Sequence, residues 1–139
     1  MAPATGREVQ VDELAVRFPE DYDDISRQGT FGWMGFGEMG DSLSVAEIEA
    51  GPQSDEELER SGRRLGLWRD NTPERGEDVE IAGVSMIHLY GRGGPGQHAD
   101  LYAAHVGDHV VQLRFSQSGR PAERERVVAS VLASIEWRG

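Results

Sequence analysis

The 139-residue chain contains no cysteine. Disulfides, thiolate nucleophiles and zinc–thiolate sites are excluded together. Lysine is absent too, all 14 basic residues being arginine. That removes a Schiff-base lysine and the lysine of a phosphate-binding P-loop. No apolar run approaches the roughly 20 residues that span a bilayer. The opening MAPATGREVQVDE lacks the apolar core of a secretory signal, so a cytoplasmic protein with no membrane contact is expected. Aromatics make up only 7% of residues, which makes the cluster Phe31, Trp33, Phe36 conspicuous.

What is abundant is negative charge. The formal net charge is −11, and its placement is uneven. Residues 1–60 hold 15 Asp and Glu against four Arg, whereas residues 61–139 hold ten of each. Such a field repels nucleic acid and anionic lipid and favours a basic partner.

Period-two and helical patterns indicate one α+β domain over residues 1–139, an antiparallel β-sheet flanked by helices, with residues 1–8 as a flexible tail. ELAVRF alternates as a half-buried strand stopped by Pro19. PEDYDDISRQG reads as a polar loop, a weak cation-loop candidate through Asp21, Asp23 and Asp24 that lacks the Glu a calcium loop needs. DSLSVAEIEAG leans to a bulged strand, with a short helix as the alternative. Ser54 and Glu57 form a capping box opening a helix that carries Leu58, Leu65 and Trp68 on one side. VEIAGVSMIHLYGR is a strand region with a turn or bulge at Gly83. In ADLYAAHVGDHVVQLRFSQ, a Gly107–Asp108 turn pairs Val106 with His109, Ala104 with Val111 and Tyr102 with Leu113. Pro121 then opens a helix with an apolar stripe from Val127 to Ile135.

FGWMGFGEMGD contains Gly35, Gly37 and Gly40 at G-x-G-x-x-G spacing, and GRGGPG repeats the pattern at Gly91, Gly93 and Gly96. A dinucleotide site also needs a preceding strand, a following helix and an acidic residue about 20 positions on, at the end of a second strand. Here the segment at that distance is the Ser54 helix, and Glu38 and Asp41 would repel phosphate. The glycines are better explained as packing residues, and no cofactor is expected.

Four histidines, His88, His98, His105 and His109, raise the question of metal. The hairpin register sends His105 and His109 to opposite faces and leaves His98 near the far end from His109, so no metal site is expected. Trp33, with Phe31, Met34 and Phe36, is the candidate partner-binding surface, because aromatics and methionine serve adaptable recognition. Trp68 and Trp137 read as core.

Taken together, ELAVRFPEDYDDIS, VEIAGVSMIHLY, DLYAAHVGDHVVQLRFS and VVASVLASIEW, in that order, resemble the PsbP-like superfamily. Its fold is shared by the extrinsic photosystem II subunit, the yeast Ran-binding Mog protein, bacterial lipoproteins and Eag-type chaperones of secretion effectors. The resemblance implies a non-enzymatic chaperone, adaptor or immunity-type inhibitor that docks a protein segment on its sheet, with a homodimer left open. Two rivals stand beside it. One is a small-molecule binder with a pocket between the sheet and the C-terminal helix. The other is a metal-dependent hydrolase using His88 with His105 or His109.

Overall fold

The structure, a computed structural model, describes residues 2–28, 32–48, 54–65, 67–69 and 73–138. Alternating buried and exposed residues in EVQV and LAVR form β1 (Glu8–Val11) and β2 (Leu14–Arg17), which with β11 (Glu136–Trp137) make a small antiparallel sheet in the order β1-β2-β11. The large sheet comprises β3 (Asp23–Gln28), β4 (Gly32–Phe36), β5 (Ser42–Ile48), β6 (Glu74–Arg75), β8 (Val84–Arg92), β9 (His98–Val106) and β10 (His109–Gln117), in the order β3-β4-β5-β10-β9-β8-β6. β7 (Val79–Ile81) pairs with β8. Every pairing is antiparallel.

α1 (Asp55–Arg63) and α2 (Pro121–Ala133) cover opposite faces of the large sheet. On one face Leu58 of α1 meets Ile87, Ala103 and Val110. On the other, α2 and the small sheet close over Leu43, Val45, Val111, Leu113 and Phe115 through Val16, Val128, Val131 and Leu132. Phe18 and Phe115 are wholly buried, each contributing about 2–3 kcal/mol of apolar burial. The hairpin pairs Val106 with His109, Ala104 with Val111 and Tyr102 with Leu113, as the sequence predicts, with Gly107 at φ +64°. This is the α+β arrangement expected, an antiparallel sheet flanked by helices. Among the described residues no helix is long and apolar enough to cross a membrane.

Several local expectations are corrected. Residues 1–8 are not a loose tail from residue 4 onward. Ala4 is buried and its N–H donates to the Ser130 carbonyl at 2.8 Å, while the Gly6 N–H donates to the Phe18 carbonyl at 2.8 Å. The polar stretch expected as a loop contains β3, an edge strand with a register shift between Asp23 and Ser26 and Asp24 at φ +53°. A bulged edge strand pairs on one side only, so it needs no apolar alternation to announce it. DSLSVAEIEAG forms a regular strand, β5, pairing without a bulge from Ser42 to Ile48. Ser54 caps α1 by accepting the Glu57 N–H at 3.2 Å, as expected, but the helix stops at Arg63. Trp68 folds back, and its indole N–H donates at 2.8 Å to the Gly62 carbonyl, which also accepts the Leu65 N–H at 3.3 Å.

The glycine motif has its packing reason. A Cβ at Gly35 would lie 2.6 Å from Cδ2 and Cε2 of Phe18, and one at Gly37 would lie 2.6 Å from Cε1 of Tyr22. The motif runs into a three-residue 3-10 turn, Glu38–Gly40, too short to present a helix N-terminus to phosphate. Gly35→Ala should therefore lower unfolding free energy by about 1–3 kcal/mol, because the Phe18 ring is enclosed and cannot retreat. Urea denaturation monitored by tryptophan fluorescence measures this, and a variant as stable as the parent would contradict the packing assignment.

Candidate ligand pocket between the sheet and the second helix

Strand alternation places Met86, His88 and Tyr90 of β8 on the face that α2 covers, and the register sets His88 opposite Tyr102, Tyr90 opposite Asp100 and Arg92 opposite His98. His98, Asp100 and Tyr102 thus join His88 and Tyr90 on one surface. From α2, Arg124, Glu125, Val128, Ala129 and Leu132 face this surface across a recess of about 450 Å³. Its lining is mainly apolar with a few converging polar groups, the composition expected of a ligand site.

Asp100 is the centre of the polar set. It is only 7% exposed, and burying a carboxylate without partners is costly. The His88 Nε2 lies 2.7 Å from Asp100 Oδ1, and the His98 Nε2 lies 3.5 Å from Oδ2. The His88 ring stacks on Tyr102 with centroids 4.3 Å apart and planes 6° from parallel. Behind it, a Cβ at Gly76 would come within 2.6 Å of His88 Nδ1, so the imidazole is held between the Gly76 backbone and the carboxylate. Tyr90 stacks on His98 with centroids 6.2 Å apart.

Burial, reinforced by the charges of Asp100 and Glu125, raises the Tyr102 phenol above its ordinary pKa. A hydrogen bond to Glu74, with that residue's charge, raises Tyr90 as well. Both phenols therefore stay protonated at neutral pH. The lining has no Ser, Thr, Cys or Lys; its polar groups are two imidazoles, two phenols, two carboxylates and a guanidinium. It can stack a planar group, exchange hydrogen bonds with His98 and Asp100, and attract an anion to Arg124, whose Nη1 donates to the Gly119 carbonyl at 2.8 Å and which has no ion pair among the described residues.

The expected partner surface is divided. Phe31 lies outside the described residues. Trp33 is half-buried against the core, its indole N–H reaches the Gln10 carbonyl at 3.4 Å, and the Arg7 guanidinium lies 4.9 Å from its ring centroid. Met34 and Phe36 alternate to the opposite face, where Phe36 is 44% exposed. Trp137 packs as expected, donating to the Ile81 carbonyl at 2.8 Å.

The histidines separate by face as expected, but the anticipated association of His88 with His105 or His109 is corrected. His88 meets Asp100 and, through it, His98. The signal was present in HADLY, where His98, Asp100 and Tyr102 recur at every second residue of a strand. Its meeting with His88 depended on a β8–β9 register that sequence does not specify.

Among the described residues, Asp12, Glu47 and His109 bring one donor atom each within 4.8 Å of one another, the geometry closest to a cation site. Both His109 nitrogens are engaged, however, Nε2 with Glu13 at 2.7 Å and Nδ1 with Asp108 at 3.2 Å. That environment suits an imidazolium better than a neutral ligand. Partial burial pulls the His109 pKa down, but the hydrogen bonds its ring donates to Glu13 and Asp108 and the charges of Glu13 and Asp12 outweigh it and hold it above its ordinary value. The stabilisation is therefore complete below about pH 6.5, the unfolded value, and disappears as pH rises through the higher folded value. Denaturation across pH 5–9 should show His109→Gln less stable than the parent at the acid end, with the difference closing towards the alkaline end. A constant difference would show that protonation is not involved.

The chain can now be compared with known proteins. No family model matches the sequence, and no curated protein matches it. Solved structures do. The solution structure of cyanobacterial PsbP (CyanoP) from Synechocystis superposes with a TM-score of 0.65 at 12% identity, covering 99% of this chain and 94% of that one. The chain has the PsbP-like fold. A crystal structure of a protein from Bacteroides thetaiotaomicron matches with a TM-score of 0.58 at 12% identity, covering 96% of this chain. This chain spans about half the length of that protein, 49%. At such identity the likeness concerns the PsbP-like backbone, and the pocket must be read from this chain's own side chains.

Proposed function

We propose that this PsbP-like chain is a non-enzymatic binding module whose small-molecule ligand occupies the recess between β8–β9 and α2. One observation carries the reading: a buried carboxylate, Asp100, held between two imidazoles at the floor of a largely apolar cavity of about 450 Å³. A core designed for packing alone gains nothing from a buried charge, whereas a recognition site uses one to orient a ligand. The lining holds no serine, threonine, cysteine or lysine, and its two phenols are held protonated, which supports a binding role. The ligand class that fits is planar and apolar, carrying a hydrogen-bonding edge for His98 and Asp100 and an acidic group for Arg124.

A thermal-shift screen of aromatic and heteroaromatic carboxylic acids tests this. A ligand at 100-fold its Kd stabilises by about 2.7 kcal/mol, a shift of several degrees for a domain of this size. Ala129→Trp, which fills the recess from α2, should abolish the shift, and Arg124→Gln should weaken it for acids but not for their amides. The reading fails if no compound shifts the folded parent, or if Ala129→Trp binds as well as the parent.

A second reading, docking of a basic or apolar protein segment, is favoured by a different observation. Phe36 is 44% exposed and Met39 is 83% exposed, on a part of the chain rich in acidic residues.

A further inference from the structure

A second, smaller cleft of about 250 Å³ lies between the Glu38–Gly40 turn and the first turns of α2. Four carboxylates line it, those of Asp21, Glu38, Asp41 and Glu123, against the single cation Arg124. Asp41 is fixed: its Oδ1 accepts from both the N–H and the hydroxyl of Ser118 at 2.9 Å. The turn is closed by the Gly37 N–H to the Asp41 carbonyl at 2.9 Å, and the Gln97 amide donates to the Gly40 carbonyl at 2.9 Å. On this braced turn Met39 sits at φ +59° and is 83% exposed at the cleft's edge.

Tyr22 supplies the independent observation. It is 8% exposed, it belongs to the cleft lining, and its buried hydroxyl has no hydrogen-bond partner among the described residues. Buried hydroxyls are nearly always paired, and leaving one unpaired is unfavourable. A donor or acceptor supplied by a ligand would satisfy it, in a setting that rejects anions.

We propose that this cleft is the docking site for an arginine side chain of a partner protein, with an apolar residue beside that arginine resting on Met39. A guanidinium presents five donors in a planar fork, which suits several carboxylates and a phenol oxygen at once better than a single ammonium does. The thioether of Met39 adapts to varied apolar neighbours. The acidic excess of residues 1–60 steers a basic segment towards this side. The proposal rests on the protein-docking reading; the cleft shares Arg124 with the small-molecule pocket but none of its four carboxylates.

The test uses a fluorescein-labelled peptide of alternating arginine and leucine, with matched peptides in which lysine, citrulline or glutamate replaces arginine, or serine replaces leucine. Fluorescence anisotropy against the full chain should rank arginine above lysine, with citrulline and glutamate at least tenfold weaker. Glu38→Arg with Glu123→Arg should weaken the arginine peptide at least tenfold. Glu56→Arg with Glu80→Arg, an equal charge change at exposed positions elsewhere, should change it less than twofold. Circular dichroism confirms that both double variants are folded, and Met39→Ser gives a second, milder probe expected to reduce binding of the leucine-containing peptide. If both double variants weaken binding equally, the effect is net charge and the site assignment is overturned. If citrulline and arginine peptides bind alike and Met39→Ser weakens both, docking at this tip stands but the guanidinium assignment is overturned. If no peptide binds, the docking reading fails with it.

Discussion

Nine consecutive backbone pairs join β9 to β10 around Gly107–Asp108, and the rest of the molecule is arranged about that ladder. Because side chains alternate across a strand, the register decides in one step which residues meet α1 and which meet α2. Ala103 and Val110 go to the α1 face, while Tyr102, Leu113 and Phe115 go to the α2 face. A slip of one residue in β10 would drive Gln112 and Arg114 into the main core. The small sheet and α2 can close over the large sheet only because this face is continuous and apolar as far as Asp100. Where it turns polar, packing gives way to the recess.

Charge is distributed in a way that fits a binding module. At one end of the sheet Asp12, Glu13 and Asp108 surround His109, and that cluster carries its own cation. At the Glu38–Gly40 turn the carboxylates outnumber the cations, and an apolar side chain is held outwards on a braced backbone. The pocket under α2 differs again, with one buried carboxylate already bridged by two imidazoles and an arginine at its rim. These are three chemically distinct environments on one PsbP-like frame. Such a backbone persists at 12% identity to the cyanobacterial PsbP structure, so the fold alone does not fix what these surfaces do.

Much of the architecture could be read along the chain, for reasons that are local. The hairpin announced itself because glycine leads a two-residue turn between strictly alternating strands. Ser54 and Glu57 marked the start of α1 because capping is a contact between residues three apart. The stripe Val128, Val131, Leu132 marked α2 for the same reason. The elements that escaped notice were those stabilised from a distance. β3 is largely polar and is held by its pairing with β4, by Ile25 against the main core, and by the Arg7 side chain, whose Nη1 donates to the Ile25 carbonyl at 3.1 Å. The N-terminal residues are anchored by Ser130 and Phe18, more than a hundred and about a dozen positions away. Gly35 and Gly37 looked like a nucleotide signature because spacing alone cannot reveal that Phe18 and Tyr22 fill the space above them.

The same division holds for the binding residues. Composition and order alone established a cysteine-free, lysine-free, acidic α+β chain, its two helices, its central hairpin, and the shared face of His98, Asp100 and Tyr102, since each follows from residue chemistry or from the period of a strand. Folding decided that His88 stacks on Tyr102 and meets Asp100, that α2 roofs the recess, that Trp33 turns inwards while Phe36 and Met39 remain outside, and that the Tyr22 hydroxyl is left without a partner among the described residues. Those outcomes depend on the offset between strands joined by a loop and on where a helix comes to rest. Both are settled by the packing of the whole molecule, so no short stretch of sequence contains them.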